Sequence, residues 1–394
     1  MLDYDDAIAL IGAAAQALGA ETVALGGAQG RVLAADVRAA IASPAGDASA
    51  MDGIAVRDAD MAAGVPVRLI GTSFAGEPFA GALGPGEGVR IFTGALLPTG
   101  ADRVIIQEHV RFEGDLAHVE AGYGPAWHVR RRGEDFAEGD LLVPAGTVLG
   151  PGPLLAVAGG DVAQVSVVRR PRLRVLATGS ELVPPGTARN HAAAIPDSVG
   201  PAVAALAREW GANVAECACL PDDLARLAGW ARAAVADADV VVITGGASVG
   251  ARDYAQAMFA GLPFTPVFAK ARIKPGKPVW VARSGATWIV GLPGNPSSAL
   301  VTGRLFLAPL LAALGGRGLA AAQRWRDVRV AGNLDAGGDR EVFMMACAEG
   351  ESAAPAGRQQ SGGQAVWARA NCLLRSARCH QDAAGQWWAA ALDL

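Results

Sequence analysis

The chain has 394 residues, 52% of them hydrophobic and 18% charged, with a formal net charge of −4. Those proportions exclude a disordered chain and describe two to four folded domains of about 100–150 residues each. A net negative balance also excludes a general nucleic-acid binder, which needs an excess of clustered cations.

The opening Met1-Leu-Asp-Tyr-Asp-Asp6 is acidic where a secretory leader would be basic. Asp3 is placed to cap a helix whose apolar face carries Ala7, Ile8, Ile11, Ala14, Ala15 and Leu18, with Gly19 as its stop. From about 41 to 135, short apolar runs (Val65–Ile70, Val89–Phe92, Val104–Gln107) alternate with Gly/Pro turns and predict a small β-rich domain. Leu141–Val168, with its Pro-Ala-Gly and Gly-Pro-Gly-Pro turns, reads as a connecting region. It is grouped with the first helix as a discontinuous N-terminal helical/linker domain (1–40 and 136–169).

After the arginine-rich run Arg169–Arg174 a regular alternation begins. Strands are predicted at Leu173–Ala177, Val214–Leu220, Val240–Ile243, Phe264–Phe268, Val279–Ala282 and Trp288–Val290. Helices are predicted at Ser198–Trp210, from Asp222 (with Leu224, Leu227, Ala231, Ala234 and Val235 on one face), from about Asp253, and from Pro296. Strands apolar on both faces and separated by helices indicate a central parallel-sheet α/β domain, 170–316. Beyond Gly315-Gly-Arg-Gly318, strands at Trp325–Ala331, Glu341–Ala346, Cys372–Arg375 and Trp387–Leu392 predict a C-terminal β domain, 317–394. The most apolar helical stretch, Leu305–Leu314, contains Pro309 and is too short to span a bilayer. Five cysteines without CxxC spacing and five scattered histidines make no zinc site, and reduced thiols in a cytoplasmic protein are the simplest account.

Ligands of such sheets sit beyond the carboxyl ends of the strands. Three glycine-rich loops fall there: Thr178-Gly179-Ser-Glu181; Thr244-Gly245-Gly246-Ala-Ser248-Val-Gly250-Ala-Arg-Asp253; and Gly291-Leu-Pro293-Gly294-Asn295-Pro-Ser-Ser298. Their exposed backbone N–H groups, with a helix N-terminus, can cradle phosphate oxygens. All but three of the 34 basic residues are arginine, and the three lysines lie together in Lys270-Ala-Arg-Ile-Lys274-Pro-Gly276-Lys277. A compact ammonium differs from a planar guanidinium in suiting a small oxyanion or phosphate. Glu181, Asp253 and either Asp222 or Asp223 accompany these loops, one of the last pair reading as a helix cap. Acids beside a phosphate are repelled unless a cation intervenes, which points to Mg²⁺.

The strings Ser49-Ala-Met-Asp-Gly-Ile-Ala-Val56, Phe92-Thr-Gly-Ala-Leu-Leu-Pro-Thr-Gly-Ala-Asp102, Arg130-Arg-Arg-Gly-Glu-Asp135, TGSEL, TGGASVGARDY, KPGKP and GLPGNPSSA stand in one order. Together they resemble the molybdopterin molybdenumtransferase family (MoeA and the E domain of gephyrin) over nearly the whole chain. The resemblance implies a MoeA-like four-domain subunit and a homodimer whose active site lies between subunits. It implies Mg²⁺-dependent insertion of molybdate into adenylylated molybdopterin, releasing AMP, in molybdenum cofactor biosynthesis. The upstream adenylyltransferase is a further partner, with no membrane or nucleic acid involved. It also implies catalytic roles for Asp52, Asp135, Glu181, Asp222, Asp253, Lys274 and Lys277, with Asp253 and Glu181 on the metal. Thr93, Thr178, Gly179, Gly245, Gly246, Ser248, Gly250, Gly276, Pro293, Gly294, Asn295, Ser298, Arg340 and Ser361 are implied to hold substrate. The sequence departs from the family at Ile54, at Ser180 in place of an acid, at Pro196-Asp-Ser-Val199 and in the serine-poor loop Ser361–Trp367. The alternatives are an adenylyltransferase, or a scaffold that kept the fold. Tungstate against molybdate stays open.

Overall fold

The structure, a computed structural model, describes residues 1–61, 64–190, 192–245, 254–331, 338–383 and 385–394. By its internal contacts the chain divides into two compact units: residues 1–21, 30–32 and 167–394 form one, and 22–29 with 33–166 the other.

The larger unit begins with α1 (Tyr4–Ala14), which buries Tyr4, Ala7, Ile8 and Ile11. Asp3 occupies its N-cap position without a side-chain cap bond, because its carboxylate pairs with Arg272 at 3.4 Å. The α/β region contains β1 (Arg172–Thr178), α2 (Val199–Glu209), β2 (Asn213–Leu220), α3 (Leu224–Asp237), β3 (Val240–Thr244), β4 (Thr265–Phe268), β5 (Ile273–Lys274), β6 (Trp280–Ser284), β7 (Thr287–Leu292) and α4 (Pro296–Leu314). Its six-stranded sheet has the order β2-β1-β3-β7-β6-β4. All five residues of β3 are buried, as a strand covered on both faces requires. Leu173, Val175, Val240, Val242 and Val290 pack on one face with α1, α2 and α4, while Leu176, Val241, Ile243 and Ile289 meet α3 on the other.

Three sequence expectations need correction. The sheet is mixed, because β6 runs antiparallel to both β7 and β4. Only Gly285 and Ala286 separate β6 from β7, enough for a hairpin and far too few for a crossover. The helix expected from about Asp253 starts at a residue outside the described ones, and the described residues 254–264 before β4 carry a 3₁₀ turn at Ala257–Phe259 rather than an α-helix. Finally, α4 is a continuous 19-residue helical run, passing through a π-helical stretch at Gly303–Leu307. By length and composition it could cross a membrane, but 89% of it is buried inside the protein, so it is the central core helix. Arg304, on this run, lies over the Trp210 ring and donates to the Ala322 and Asp393 carbonyls; burial pulls its pKa down to about 10.

The C-terminal strands are β8 (Trp325–Val330), β9 (Glu341–Glu349), β10 (Ser352–Pro355), β11 (Cys372–Gln381) and β12 (Trp387–Asp393). They pair in the order β9-β10-β8-β12-β11, and β11 returns to β9, closing a five-stranded barrel. β5 adds to β9 in parallel, setting Lys274 opposite Val342. The lysine segment is therefore stitched to the barrel. Arg375 reinforces the same region: 3% exposed, it donates to both Asp5 and Glu341 and lies over the Tyr4 ring.

In the second unit a six-stranded sheet runs Arg103–Ile106, Gly53–Val56, Glu87–Ile91, Val67–Ser73, Leu116–Val119 and Val110–Glu113. Ile54, Val56, Val67, Ile105 and Val110 form its core. Leu141–Val168, read as a connecting region and grouped with the first helix, contains a helix at Pro151–Gly159 and a strand at Gln164–Val168.

Candidate active site

β1 and β3 are neighbours in the sheet with β2 on the far side of β1, so successive connections leave in opposite directions. Such a switch point opens a crevice at the strand carboxyl ends. A cleft of about 550 Å³ lies there. Thr178, Gly179 and Glu181 line it from the loop after β1, Asp222 from the loop after β2, and Thr244 and Gly245 from β3. Pro293, Gly294 and Asn295 line it from the loop after β7. All but Thr244 of these are residues the sequence reading selected, and the structure brings them to one place.

Close approach explains the glycines. Gly245 has φ +95°, and a Cβ there would stand 2.5 Å from the Thr178 carbonyl oxygen. A Cβ on Gly294 would meet the Gly245 Cα at 3.2 Å. The three loops thus stack backbone on backbone. Gly276 does the same for the lysine segment: at φ +110°, its Cβ would lie 2.3 Å from the Thr302 side chain and 3.7 Å from the Ser298 carbonyl. Lys274 and Lys277 therefore flank the first turns of α4, although neither lines the cleft itself. Arg340 immediately precedes β9, whose Glu341 pairs with Ile273, and lies next to Asp339 at 3.8 Å.

The acids sort by their partners. Asp223 caps α3, its carboxylate accepting from the Arg226 amide at 3.0 Å. Asp222 faces the cleft, and its backbone N–H donates to the Ser180 hydroxyl at 3.2 Å. Ser180 is thus a backbone anchor for Asp222. Asp197, which the sequence reading did not select, is 6% exposed, lines the cleft and accepts from the Gly200 amide at 2.9 Å at the head of α2. Its signal was available, since an acid two residues before an apolar helix is a capping pattern. Gln364 is the second missed residue, reaching the cleft from the C-terminal domain.

Glu181, Asp197 and Asp222 form no ion pair with any described residue, and no basic side chain is among the described residues lining the cleft. Gly246, Ser248, Gly250 and Asp253 lie outside the described residues.

One expectation changes sign. The first amides of α4 were expected to cradle phosphate, but those of Ser297 and Ser298 donate to the Ser361 carbonyl at 2.9 and 3.4 Å. The Asn295 side-chain carboxamide donates to the Ser361 hydroxyl at 3.4 Å. Ser361 thereby reaches the site as a cap on the helix. Ser298 is 4% exposed.

In the second unit, Asp52 accepts from both the amide and the hydroxyl of Thr93, each at 2.7 Å. That amide first, and the hydroxyl second, hold its carboxyl below the ordinary carboxylate range. Asp135 is exposed in the turn after Arg132, its backbone N–H donating to the Ser43 carbonyl at 3.0 Å. The turn is fixed by Asp47, which accepts from the Arg132 amide and the Arg131 guanidinium.

An open α/β sheet with glycine loops over its switch point, joined to a closed β-barrel and a separate β-rich unit, defines a MoeA-like fold. The structure of a molybdopterin biosynthesis MoeA protein from Pyrococcus horikosii matches with a TM-score of 0.79 at 29% identity, covering 100% of this chain and 99% of that one. Residues 2–159 match the family model described as the MoeA N-terminal region (domain I and II), and residues 174–313 the model described as a probable molybdopterin binding domain. Similar curated proteins include the molybdopterin molybdenumtransferases of Nostoc sp. (34% identical, 82% of this chain, 76% of the relative) and Haemophilus influenzae (37%, 73% and 71%). That of Staphylococcus aureus is 30% identical over 90% of this chain and 86% of its own. The chain belongs to the molybdopterin molybdenumtransferase family and is an enzyme of the transferase class.

Proposed function

We propose that this enzyme inserts molybdate into adenylylated molybdopterin and releases AMP. The observation that carries the reading is the charge pattern of the cleft: three carboxylates and no described basic side chain, beneath glycine loops that suit phosphate. A phosphoanhydride is repelled by three acids unless a cation stands between them. The donor set is hard oxygen, which fits Mg²⁺. No three described His, Cys, Asp or Glu side chains lie close enough to hold an ion alone, so Glu181 and Asp253 would hold it together with substrate oxygens. When bound, the ion neutralises the anhydride and polarises its bridge.

The chain's own groups do the rest. Asp222, fixed through Ser180, faces the anhydride and orients the attacking water. The loops carrying Gly179, Gly245 and Gly294, two of which pack on one another through their glycines, hold the phosphate oxygens through backbone N–H groups. Lys274 and Lys277, with Ser298, Ser361 and Arg340 around the head of α4, hold the tetrahedral dianion as point charges. Asp52 and Asp135 are assigned to the same reaction, in a homodimer working in the cytoplasm downstream of an adenylyltransferase. Four domains (1–40 with 136–169, 41–135, 170–316 and 317–394) are part of this reading.

Incubation of the purified chain with adenylylated molybdopterin, molybdate and Mg²⁺ tests it. AMP release that needs all three is expected. AMP at the no-enzyme rate would sink the reading, and a monomer by sedimentation would remove the dimer.

A further inference from the structure

Among the described residues of the C-terminal domain, Gln364 lines the acidic cleft, and its loop is held by a buried hydroxyl. Gln364 lies between β10 and β11, fifty residues beyond the end of α4, yet it lines the cleft together with Asn295. Its side chain makes no hydrogen bond to any described residue, whereas the Asn295 amide is engaged with Ser361. Its loop is anchored at three points on the first turn of α4. The Ser361 carbonyl accepts from the Ser297 and Ser298 amides. The Ser297 hydroxyl, on a residue with 0% exposure, donates to the Gly363 carbonyl at 2.6 Å. The Trp367 indole N–H donates to that same hydroxyl at 2.9 Å. Ser297 therefore joins both sides of Gln364. A buried hydroxyl so fully partnered is costly to disturb.

We infer that Gln364 contacts the substrate as a neutral hydrogen-bond donor, and that Ser297 and Trp367 are positioning residues that hold it at the cleft mouth. Among Glu181, Asp197 and Asp222, an amide N–H can approach an anhydride oxygen without adding repulsion, as a fourth carboxylate could not. The inference rests on the proposed AMP-releasing reaction and deepens it by naming a residue that selects for the phosphate-bearing substrate.

Michaelis parameters for AMP release test it, read alongside equilibrium dialysis of AMP itself. Gln364→Glu is expected to raise KM about tenfold with kcat within about twofold, and Gln364→Ala to raise it about threefold. Trp367→Phe, which keeps a six-membered aromatic ring and loses the N–H donor with the second ring, is expected to raise KM about threefold while the folded circular-dichroism spectrum is retained. AMP affinity should weaken in the same order. Unchanged KM and unchanged AMP affinity in Gln364→Glu would overturn the contact. An effect in Gln364→Glu without one in Trp367→Phe would overturn the positioning role. If wild-type protein binds AMP without turnover, the proposed reaction falls alone and the dialysis series still decides Gln364. If it neither turns over nor binds AMP, both fall.

Discussion

The two ends of the central sheet treat charge in opposite ways. At the amino ends of its parallel strands Asp237 and Asp239 are each held by guanidinium groups. Asp239 accepts two bonds from Arg169, each 2.6 Å, and Asp237 accepts from Arg172 and Arg174 at 2.8 and 2.6 Å. At the carboxyl ends Glu181, Asp197 and Asp222 have no such partner among the described residues. The first pattern completes itself within the chain. The second stays open to a charge that arrives with a ligand. The same fold supplies both, so the difference marks where stability is built and where chemistry is done.

That contrast can be broken from either side. The largest effect is expected at a paired site. Arg375→Ala should lower unfolding free energy by about 3 kcal/mol in urea melts, since it strands the nearly buried Glu341. A loss below about 1 kcal/mol would put Arg375 with ordinary surface pairs. Next, Asp222→Asn should cut kcat for AMP release about 100-fold while the melt stays where it was. A shifted melt with a normal rate would make Asp222 a structural acid like Asp223. Lys277→Ala should then raise the molybdate concentration for half-maximal rate about tenfold. Unchanged molybdate dependence removes the oxyanion assignment.

The smallest effect is a pH dependence at the paired end. Burial pushes the Asp239 carboxyl up, but the Arg169 guanidinium and the Arg172 amide outweigh it and hold it below its ordinary 3.8. A depressed folded value stabilises above the unfolded pKa and loses that contribution as pH falls through the folded value. Wild-type protein should lose stability as pH drops below about 4, and Asp239→Asn should lose less over that interval. Parallel acid titrations would place the acid sensitivity elsewhere.

Much of this was legible in the residues because buried strands announce themselves. Val240–Ile243 is apolar throughout since both faces are covered. Strand direction is not written in such a run. The reversal of Trp280–Ser284 resides in the two-residue turn that follows it. Barrel closure was hidden for a different reason, because it joins Phe343–Ala346 to Cys372–Arg375 across a long separation. The glycine loops and Asp222 could be found by their place after strands. Gln364 could not, since nothing local distinguishes it from a solvated glutamine. Nor could the capture of the α4 amides by Ser361, which depends on a domain folding back onto the helix.

The stack of Thr178, Gly245 and Gly294 leaves no slack between loops that are far apart in the chain. A single methyl on either glycine has nowhere to go unless a neighbouring loop gives way. The three therefore behave as one mechanical part, like leaves of a clamped spring. Anyone re-engineering the cleft for another anion has to rebuild all three together rather than graft them one by one.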